Sequence, residues 1–403
     1  MKQFIVLKSI FLYIIFFCIR VVAFTQPFPD FQFSRLSEKD GLSSNIVNSI
    51  AQDDDGIIWA STVNGLNRYD GYGFTRFYAN PYDSNSIAAN EINSIQCGHQ
   101  NNLWMVTVAG VCSFNTITQK AQVFRSGNET PAPFRIYDGS TIWFDSGKNQ
   151  PYIVSPSALY HFTDSLHYKL LDIDFPVFFY KGISISAYNK IVSDKNGQLW
   201  AFRQNRIYKI NNVSKKVERE FDCPYSDIAI YDVLFDSFNR CWVSTWSNGI
   251  YQFKPDENSW ESLPLRHVVN PLIKDGVEWK WNGKMFLVYA INPTGLLFVD
   301  EESLEVRFYP LIGQVGVINT PFVDRQNILW VPTSDGIYYY APSNNLFDIS
   351  RIYTSNEKES NEDWDLNIAY DMSEEPSGYW VSMRYLGGIL WFNKVWKLKK
   401  FFP

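Results

Sequence analysis

The chain alternates hydrophobic and polar residues over many short stretches, and this two-residue period is typical of β-strands. Ile46, Asn48 and Ile50 give one such stretch, and Ile58 and Ala60 belong to the next. Runs rich in Asp, Asn and Gly separate the stretches, as tight hairpin turns require. The pattern predicts four strands in the first part of the chain, near 46–52, 57–62, 66–70 and 74–78.

A longer motif repeats along the chain. Its first copy runs from Asp54 to Tyr69 and places a Trp, a Thr, a Gly and an aromatic residue in a fixed order. Successive copies are 39 to 57 residues apart, with Phe286 standing in the place of one Trp, and this is the length of one propeller blade. The tryptophan anchors of the motif are Trp59, Trp104, Trp143, Trp200, Trp242, Trp330 and Trp380.

Units of this length, each with four short strands, predict an all-β fold, a β-propeller of four-stranded antiparallel blades. A single sheet cannot bury both of its faces, so neighbouring blades must cover each other, with each anchor Trp packed between two blades. We expect seven blades followed by the start of a second ring, and one eight-bladed ring is the alternative. The segment 31–36 resembles an outer strand, and we expect it to complete the last blade and close the ring.

The amino-terminal segment has the composition of a secretory signal. Lys2 and Lys8 precede an apolar run at 10–19, and small residues that allow cleavage follow. An uncleaved membrane anchor is the alternative reading of this run. We therefore expect an exported protein with three parts, which are a signal peptide at 1–25, a seven-bladed propeller at 26–352 and the first blade of a second, truncated propeller at 353–403.

Charge and composition narrow the chemistry. The formal net charge of −6 and the pI near 5.4 predict no basic surface, so we expect no nucleic-acid partner. Cys97, Cys112, Cys223 and Cys241 lack CxxC spacing, and we expect free, mostly buried thiols. The four histidines are scattered without metal-ligand spacing, so the sequence predicts neither a metal site nor another cofactor.

Several motifs resemble a known family. They are the Asp-Gly-Leu-Ser-Ser-Asn run at 40–45, the run at 49–59 that ends in Trp, and Thr62 with the following 65–71. These residues resemble the two-component regulator propeller repeats found in the periplasmic sensor region of hybrid two-component proteins. The resemblance covers nearly the whole chain after 25, and it is strong at Trp59, Trp242 and Trp330 and faint near Trp143 and Phe286.

The resemblance implies a function. It indicates a periplasmic, non-catalytic sensor propeller whose ligand is an oligosaccharide, in a receptor anchored in the inner membrane. It also implies further propeller, immunoglobulin-like and histidine kinase domains as partners, with a homodimer left open. This sequence shows none of the kinase motifs, so we expect either a fragment of a larger sensor or a freestanding ring.

Ligand-binding residues are expected in the loops between the second and third strands of each blade. The residue types in these loops differ from copy to copy, while the motif residues on either side of them are retained. Aromatic side chains stack on the C–H faces of sugars, and charged or amide groups bind hydroxyls. The candidates are Trp246, Asn248, Arg203, Arg206, Asp335, Arg384 and Tyr385.

Two alternatives to a sugar sensor stay open. A propeller glycoside hydrolase is one, because the run 193–200 resembles the Asp-box of sialidases, although its acidic and glycine residues also fit a tight turn. Hydrolysis would need two carboxylates at a set separation, and no isolated pair stands out in the sequence. A ring that docks another protein is the second alternative. No catalytic residue is predicted.

Overall fold

A computed structural model divides the chain into two compact units, Met1–Ala341 and Pro342–Pro403. The signal predicted at 1–25 lies outside the described residues. The residues that the structure describes are 31–98, 101–124, 141–144, 151–154, 159–162, 168–171, 189–203, 205–214, 216–224, 230–246, 248–265, 272–311, 315–341, 369–375, 378–383, 389–393 and 398–402.

The first unit contains seven four-stranded antiparallel sheets in its described residues. One short strand, β1 (Ser34–Leu36), and a 3₁₀ turn at Glu38–Asp40 precede the first complete sheet. Sheet 1 is β2 (Val47–Gln52), β3 (Ile58–Thr62), β4 (Gly65–Tyr69) and β5 (Phe74–Phe77). Sheet 2 is β6 (Ile92–Cys97), β7 (Asn102–Thr107), β8 (Gly110–Asn115) and β9 (Lys120–Phe124). Sheet 3 is β10 (Thr141–Phe144), β11 (Pro151–Val154), β12 (Leu159–Phe162) and β13 (Tyr168–Leu171).

The remaining sheets of the first unit follow the same order along the chain. Sheet 4 is β14 (Asn189–Ser193), β15 (Leu199–Arg203), β16 (Arg206–Ile210) and β17 (Val217–Asp222). Sheet 5 is β18 (Ile230–Phe235), β19 (Cys241–Thr245), β20 (Ile250–Lys254) and β21 (Ser259–Ser262). Sheet 6 is β22 (Leu272–Trp281), β23 (Lys284–Asn292), β24 (Gly295–Asp300) and β25 (Val306–Pro310). Sheet 7 is β26 (Phe322–Val323), β27 (Leu329–Thr333) and β28 (Gly336–Tyr340), with β1 as its fourth strand.

The seven sheets contact one another in a closed cycle. The first strand of each sheet touches the first strand of the next, from β2 through β6, β10, β14, β18 and β22 to β26, and β27 touches β2 again. First strands are therefore innermost, and the sheets are arranged around a common axis as the blades of a propeller. The prediction of an all-β propeller with four-stranded blades is confirmed.

The seventh sheet is built from both ends of the unit. β1 pairs antiparallel with β28, which confirms the prediction that the segment near 31–36 supplies an outer strand. Arg35 forms an ion pair with Asp335 at 2.5 Å. Phe31 is 1% exposed and stacks on Phe298 of sheet 6 at a centroid distance of 4.8 Å. The amino-terminal strand thus joins the outer edge of sheet 7 and packs against sheet 6.

Most of the anchor tryptophans whose side chains the structure describes lie between sheets. Five of them are at most 6% exposed, and each packs in a hydrophobic cluster with residues of the sheet that follows its own. Trp59 packs on sheet 2, Trp104 on sheet 3, Trp200 on sheet 5, Trp242 on sheet 6 and Trp330 on sheet 1. The side chain of Trp143 lies outside the described residues.

An aspartate accepts a hydrogen bond from the indole in four sheets, and in three of them this aspartate is buried. Asp53, in the turn between β2 and β3, is 5% exposed and accepts a 2.7 Å hydrogen bond from the Trp59 indole. Its other carboxylate oxygen accepts from the backbone N–H groups of Asp55 and Ile57 at 3.1 and 3.0 Å. Each of these aspartates stands six residues before its tryptophan. The other pairs are Asp194 with Trp200 at 3.3 Å, Asp236 with Trp242 at 2.8 Å and Asp324 with Trp330 at 2.8 Å.

The Thr and Gly of the motif build the hairpin between the second and third strands. The Thr62 hydroxyl donates to the Gly65 carbonyl at 3.0 Å and accepts from the Asn64 N–H at 3.0 Å. Gly65 has a φ of 113°, and a Cβ there would lie 2.8 Å from the Phe77 carbonyl oxygen of the fourth strand. Only glycine fits both conditions. The same hydroxyl-to-carbonyl bond joins Thr107 to Gly110, Thr245 to Gly249 and Thr333 to Gly336.

The second unit contains one described four-stranded sheet. Its strands are β29 (Ala369–Glu375), β30 (Gly378–Met383), β31 (Ile389–Asn393) and β32 (Leu398–Phe402). The anchor Trp380 is partly exposed and lies 6.2 Å from Trp391, measured between ring centroids. In the described part of the chain, no helix has the length and apolarity needed to cross a membrane.

The four cysteines among the described residues are not joined in disulfide bonds. Cys112, Cys223 and Cys241 are buried, and Cys97 is half-buried. Burial raises the pKa of the Cys97 and Cys241 thiols above their ordinary value, and nearby carboxylates add to this. These two thiols therefore stay protonated and unreactive at neutral pH.

Candidate functional site

Bulges at one end of the innermost strands re-aim side chains around the axis of the ring. Each bulge lies where the first strand begins, next to the end of the second strand. This side of the ring, which also holds the hairpins between second and third strands, is called the loop face below. The register shifts fall between Val47 and Ser49, Ile92 and Ser94, Ile230 and Asp232, and Ile273 and Gly276.

In sheets 7 and 1 the residue at this position ties one blade to the next. Asn48 donates from its side-chain amide to the carbonyl of Ile92 in sheet 2 at 2.9 Å. Asn319 occupies the same place in sheet 7, after the bridge between Ile318 and Thr333, and donates to the carbonyl of Val47 at 2.8 Å. These asparagines satisfy backbone acceptors across the seams, which is a structural role.

Sheets 4, 5 and 6 carry charged residues in the same zone. Lys190 of β14 donates to the carboxylates of Asp232 in β18 at 2.7 Å and Asp275 in β22 at 3.1 Å. The second oxygen of Asp232 accepts from the Gly276 N–H at 2.9 Å, and Asp232 is 1% exposed. Burial disfavours the charged ammonium, but the two carboxylates outweigh it and raise the pKa of Lys190 above its ordinary value. Lys190, Asp232 and Asp275 form what we call the ion cluster.

Lys274 lies beside the ion cluster on β22, at the position that Asn48 holds in sheet 1. Its ammonium donates to the side-chain oxygen of Asn319 in sheet 7 at 3.3 Å. Burial lowers the pKa of Lys274 below its ordinary value, and the charge of Asp275 opposes this only in part. The hydroxyl of Ser244 donates to the Lys274 carbonyl at 3.0 Å, so the backbone is fixed to the neighbouring sheet.

Trp246 supplies an aromatic surface on the loop face. It follows β19 in the hairpin of sheet 5 and is 46% exposed. Its ring stacks on Tyr231 at a centroid distance of 5.8 Å and an interplanar angle of 28°. Tyr231 is buried and directly precedes Asp232, so the stacked pair adjoins the ion cluster along β18. Asn248 lies exposed in the same hairpin.

The other predicted ligand residues are placed as follows. Arg203 ends β15, and its side chain lies outside the described residues. Arg206 begins β16 and forms ion pairs with Asp222 at 2.8 Å and Glu220 at 3.3 Å. Asp335 accepts from Arg35 and from the Tyr338 hydroxyl at 3.0 Å, so it already serves the closure of sheet 7. Arg384 and Tyr385 lie outside the described residues and stay predictions.

The structure thus brings Trp246 and Asn248 together in one hairpin, beside charged residues that sequence analysis did not select. Lys190, Asp232 and Asp275 carried no signal beyond their residue type, because what distinguishes them is the contact between three sheets. Among the described residues, no group of three or more His, Cys, Asp or Glu side chains is arranged to hold a metal ion.

A second group of carboxylates lies on the opposite face, between sheets 5 and 6. Glu301 is 0% exposed at the turn that follows β24. One of its carboxylate oxygens accepts from the hydroxyl and N–H of Ser237, and the other accepts no hydrogen bond from the described residues. Burial raises the pKa of Glu301, with the charges of Glu278 and Asp236 adding to it.

Comparisons with known proteins agree with this architecture. Residues 41–64 match the family model of the two-component regulator propeller. A stretch of 59 residues aligns with the histidine kinase P4 of Formosa agariphila at 42% sequence identity. The stretch covers 15% of this chain and 4% of that protein.

Solved structures are similar over most of the chain. The extracellular domain of a hybrid two-component system from B. thetaiotaomicron superposes with a TM-score of 0.62 and 19% identity, over 92% of this chain and 54% of that one. A second such domain from B. thetaiotaomicron superposes with a TM-score of 0.58 and 19% identity, over 90% of this chain and 46% of that one. Virginiamycin B lyase of Staphylococcus aureus superposes with a TM-score of 0.58 and 14% identity, over 77% of this chain and 99% of that one.

At these identities the structural likeness establishes the fold, and the class of protein is a β-propeller. Within that class, residues 41–64 match the model of the two-component regulator propeller, which confirms the resemblance over that stretch. The chain spans about half the length of the hybrid-system extracellular domains that it matches.

Proposed function

We propose that this chain is the ligand-sensing propeller of an exported hybrid two-component sensor and that it has no catalytic activity of its own. The repeat at 41–64 and the similarity to extracellular domains of hybrid systems support this proposal. Sensing requires that a ligand on the ring change how the ring contacts the rest of a receptor. Export to the periplasm and anchoring in the inner membrane are part of the proposal.

The proposal includes a division of the chain. Residues 26–352 form the seven-bladed sensor domain, and 353–403 form the first blade of a second propeller. The seven contacting sheets of the first unit and the separate sheet of the second support this division. Further propeller, immunoglobulin-like and kinase domains would be the partners of this ring in a full receptor, and a homodimer is one arrangement that would bring two kinases together.

The proposed ligand is an oligosaccharide bound on the loop face at sheets 4 to 6. The Trp246 ring is the main support for this site, because it is 46% exposed and stacks on the buried Tyr231 beside the ion cluster. A supported, partly exposed indole presents a flat apolar surface of the kind that stacks on the C–H face of a sugar ring. Asn248 in the same hairpin offers an amide for hydroxyl groups.

The carboxylates at this site fit binding better than hydrolysis. Asp232 and Asp275 both bind the ammonium of Lys190, and Asp232 is buried with both oxygens occupied. A glycosidase needs one carboxylic acid next to the leaving oxygen and a second group at the sugar carbon or at a water. A buried, fully bonded aspartate reaches neither.

Calorimetric titration of the purified chain with a panel of neutral and acidic oligosaccharides tests the proposal, with each sugar also assayed for cleavage. We expect binding without turnover. Trp246→Ala should weaken binding about tenfold, as expected for the loss of a central aromatic contact. Tyr72→Ala is the matched control, because Tyr72 is fully exposed in a turn on the opposite face. Cleavage of any sugar, or silence to every sugar, would overturn the proposal.

A further inference from the structure

The charges on the loop face are not all paired with each other. Lys190 lies between Asp232 and Asp275, and Gly276 takes the remaining oxygen of Asp232. The ion cluster is therefore satisfied internally, with one ammonium shared by two carboxylates. Lys274 is the charged group next to the cluster that this arrangement leaves out.

Lys274 has a neutral partner where an ionic one would be expected. Its ammonium bonds to the amide oxygen of Asn319, and no carboxylate oxygen of the described residues lies within 4.0 Å of it. Asn319 is itself held by its bond to the Val47 carbonyl, so the direction of the ammonium is fixed. A half-buried ammonium with three N–H groups and one neutral acceptor can still donate to an anion.

The Lys274 ammonium and the Trp246 ring lie on neighbouring sheets that are joined directly. Ser244, two residues before Trp246, donates to the carbonyl of Lys274. Tyr231, on which Trp246 stacks, lies on β18, and β18 contacts β22. A flat apolar surface and a fixed cation on adjoining strands match a sugar that carries an anionic group at the edge of its ring.

We propose that the ligand of this site is an acidic oligosaccharide, whose anionic group pairs with Lys274 while a sugar ring stacks on Trp246. This inference rests on the proposed function and adds the chemical class of the ligand. A uronate carboxylate and a sulfate ester offer the same chemistry to an ammonium, so the experiment contains an arm for each.

The test is calorimetry at low and high salt with matched pairs of tetrasaccharides. One arm compares unsulfated oligouronates with their carboxyl-reduced counterparts, and the other compares sulfated oligosaccharides with their desulfated counterparts. We expect one acidic class to bind at least about tenfold more tightly than its neutral counterpart, as for a charge-assisted hydrogen bond, with the preference reduced by salt. The arm that shows the preference identifies the anionic group.

Variants of the lysine assign the preference to one side chain. Lys274→Gln should bring the acidic and neutral sugars within about twofold of each other, and Lys274→Arg should retain most of the difference because it keeps the charge. Lys280→Gln is the matched control, since Lys280 is exposed six residues further along the same strand. Thermal unfolding of each variant checks that the ring is intact.

The outcomes separate this inference from the proposed function. Equal affinity for acidic and neutral sugars would overturn the inference and leave an oligosaccharide sensor in place. An acidic preference that survives in a folded Lys274→Gln protein would overturn the role of Lys274. Silence to every sugar would overturn both proposals.

Discussion

The bond between Asp53 and Trp59 gives the sharpest test of how the blades are held together. Asp53→Ala removes the acceptor of a fully buried indole N–H, and it also frees two backbone N–H groups of the turn. A buried donor left without a partner costs about 1 to 3 kcal/mol, and a hydrogen bond to a charged group is worth about 1.5 to 3 kcal/mol. We therefore expect the substitution to lower the free energy of unfolding by about 2 to 4 kcal/mol.

Urea unfolding followed by tryptophan fluorescence measures this change. Asp54→Ala is the matched control, because Asp54 is exposed in the same turn and should change stability by less than about 0.5 kcal/mol. Asp194→Ala should cost less than Asp53→Ala, because its bond to Trp200 is longer, at 3.3 Å against 2.7 Å. The reasoning is wrong if Asp53→Ala unfolds with the same free energy as the control.

Four further substitutions test other parts of the ring. Lys190→Met leaves Asp232 buried without its cation and should lower the free energy of unfolding, measured in urea, by about 3 to 5 kcal/mol. A loss below about 1 kcal/mol would contradict a closed ion cluster. Phe31→Ala removes a buried aromatic ring and should lower the free energy of unfolding by about 3 to 5 kcal/mol in the same measurement. Arg35→Ala removes an exposed ion pair and should lower it by at most about 1 kcal/mol. Because the pKa of Glu301 is raised in the folded state, protonated Glu301 contributes to folding stability. This contribution is fully present below the ordinary pKa of 4.5 and is lost as pH rises through the folded-state pKa. Glu301→Gln should therefore gain stability relative to the parent as pH rises from 4.5 to 7, and a pH-independent difference in melting temperature would refute this.

The features that depend on neighbouring residues in the chain could be predicted from the sequence. The strands expected at 46–52, 57–62, 66–70 and 74–78 are found at Val47–Gln52, Ile58–Thr62, Gly65–Tyr69 and Phe74–Phe77. Alternation and turn residues determine these bounds locally. The anchor tryptophans could be placed between blades for a related reason, because a bulky residue repeated at blade spacing must fill the same place in each copy.

The candidate site could be predicted only in part. The variable hairpins directed attention to Trp246 and Asn248, but the ion cluster joins Lys190 to residues 42 and 85 positions away in other sheets. No local pattern encodes such contacts. Asp335 illustrates the converse, because its partner Arg35 is 300 positions away and gives it a structural task that its loop position does not reveal.

One feature that was missed did leave a signal. An aspartate stands six residues before Trp59, Trp200, Trp242 and Trp330 in the sequence. Runs rich in Asp predicted tight turns, but the prediction did not include the bonds that the carboxylates of these four aspartates make to the indoles. The repeated spacing of two polar partners is a pattern that a search for hydrophobic periodicity alone overlooks.

The assembly of sheet 7 from β1 and β28 has a consequence for biosynthesis. The strand that finishes this sheet is synthesised before the other strands of the seven sheets, and its partner emerges from the ribosome only about 300 residues later. A nascent chain therefore cannot complete the circle until Tyr340 has been synthesised, and until then β1 has no native edge to join. A product that terminates before β28 would expose that orphan strand and become a substrate for chaperones and proteases.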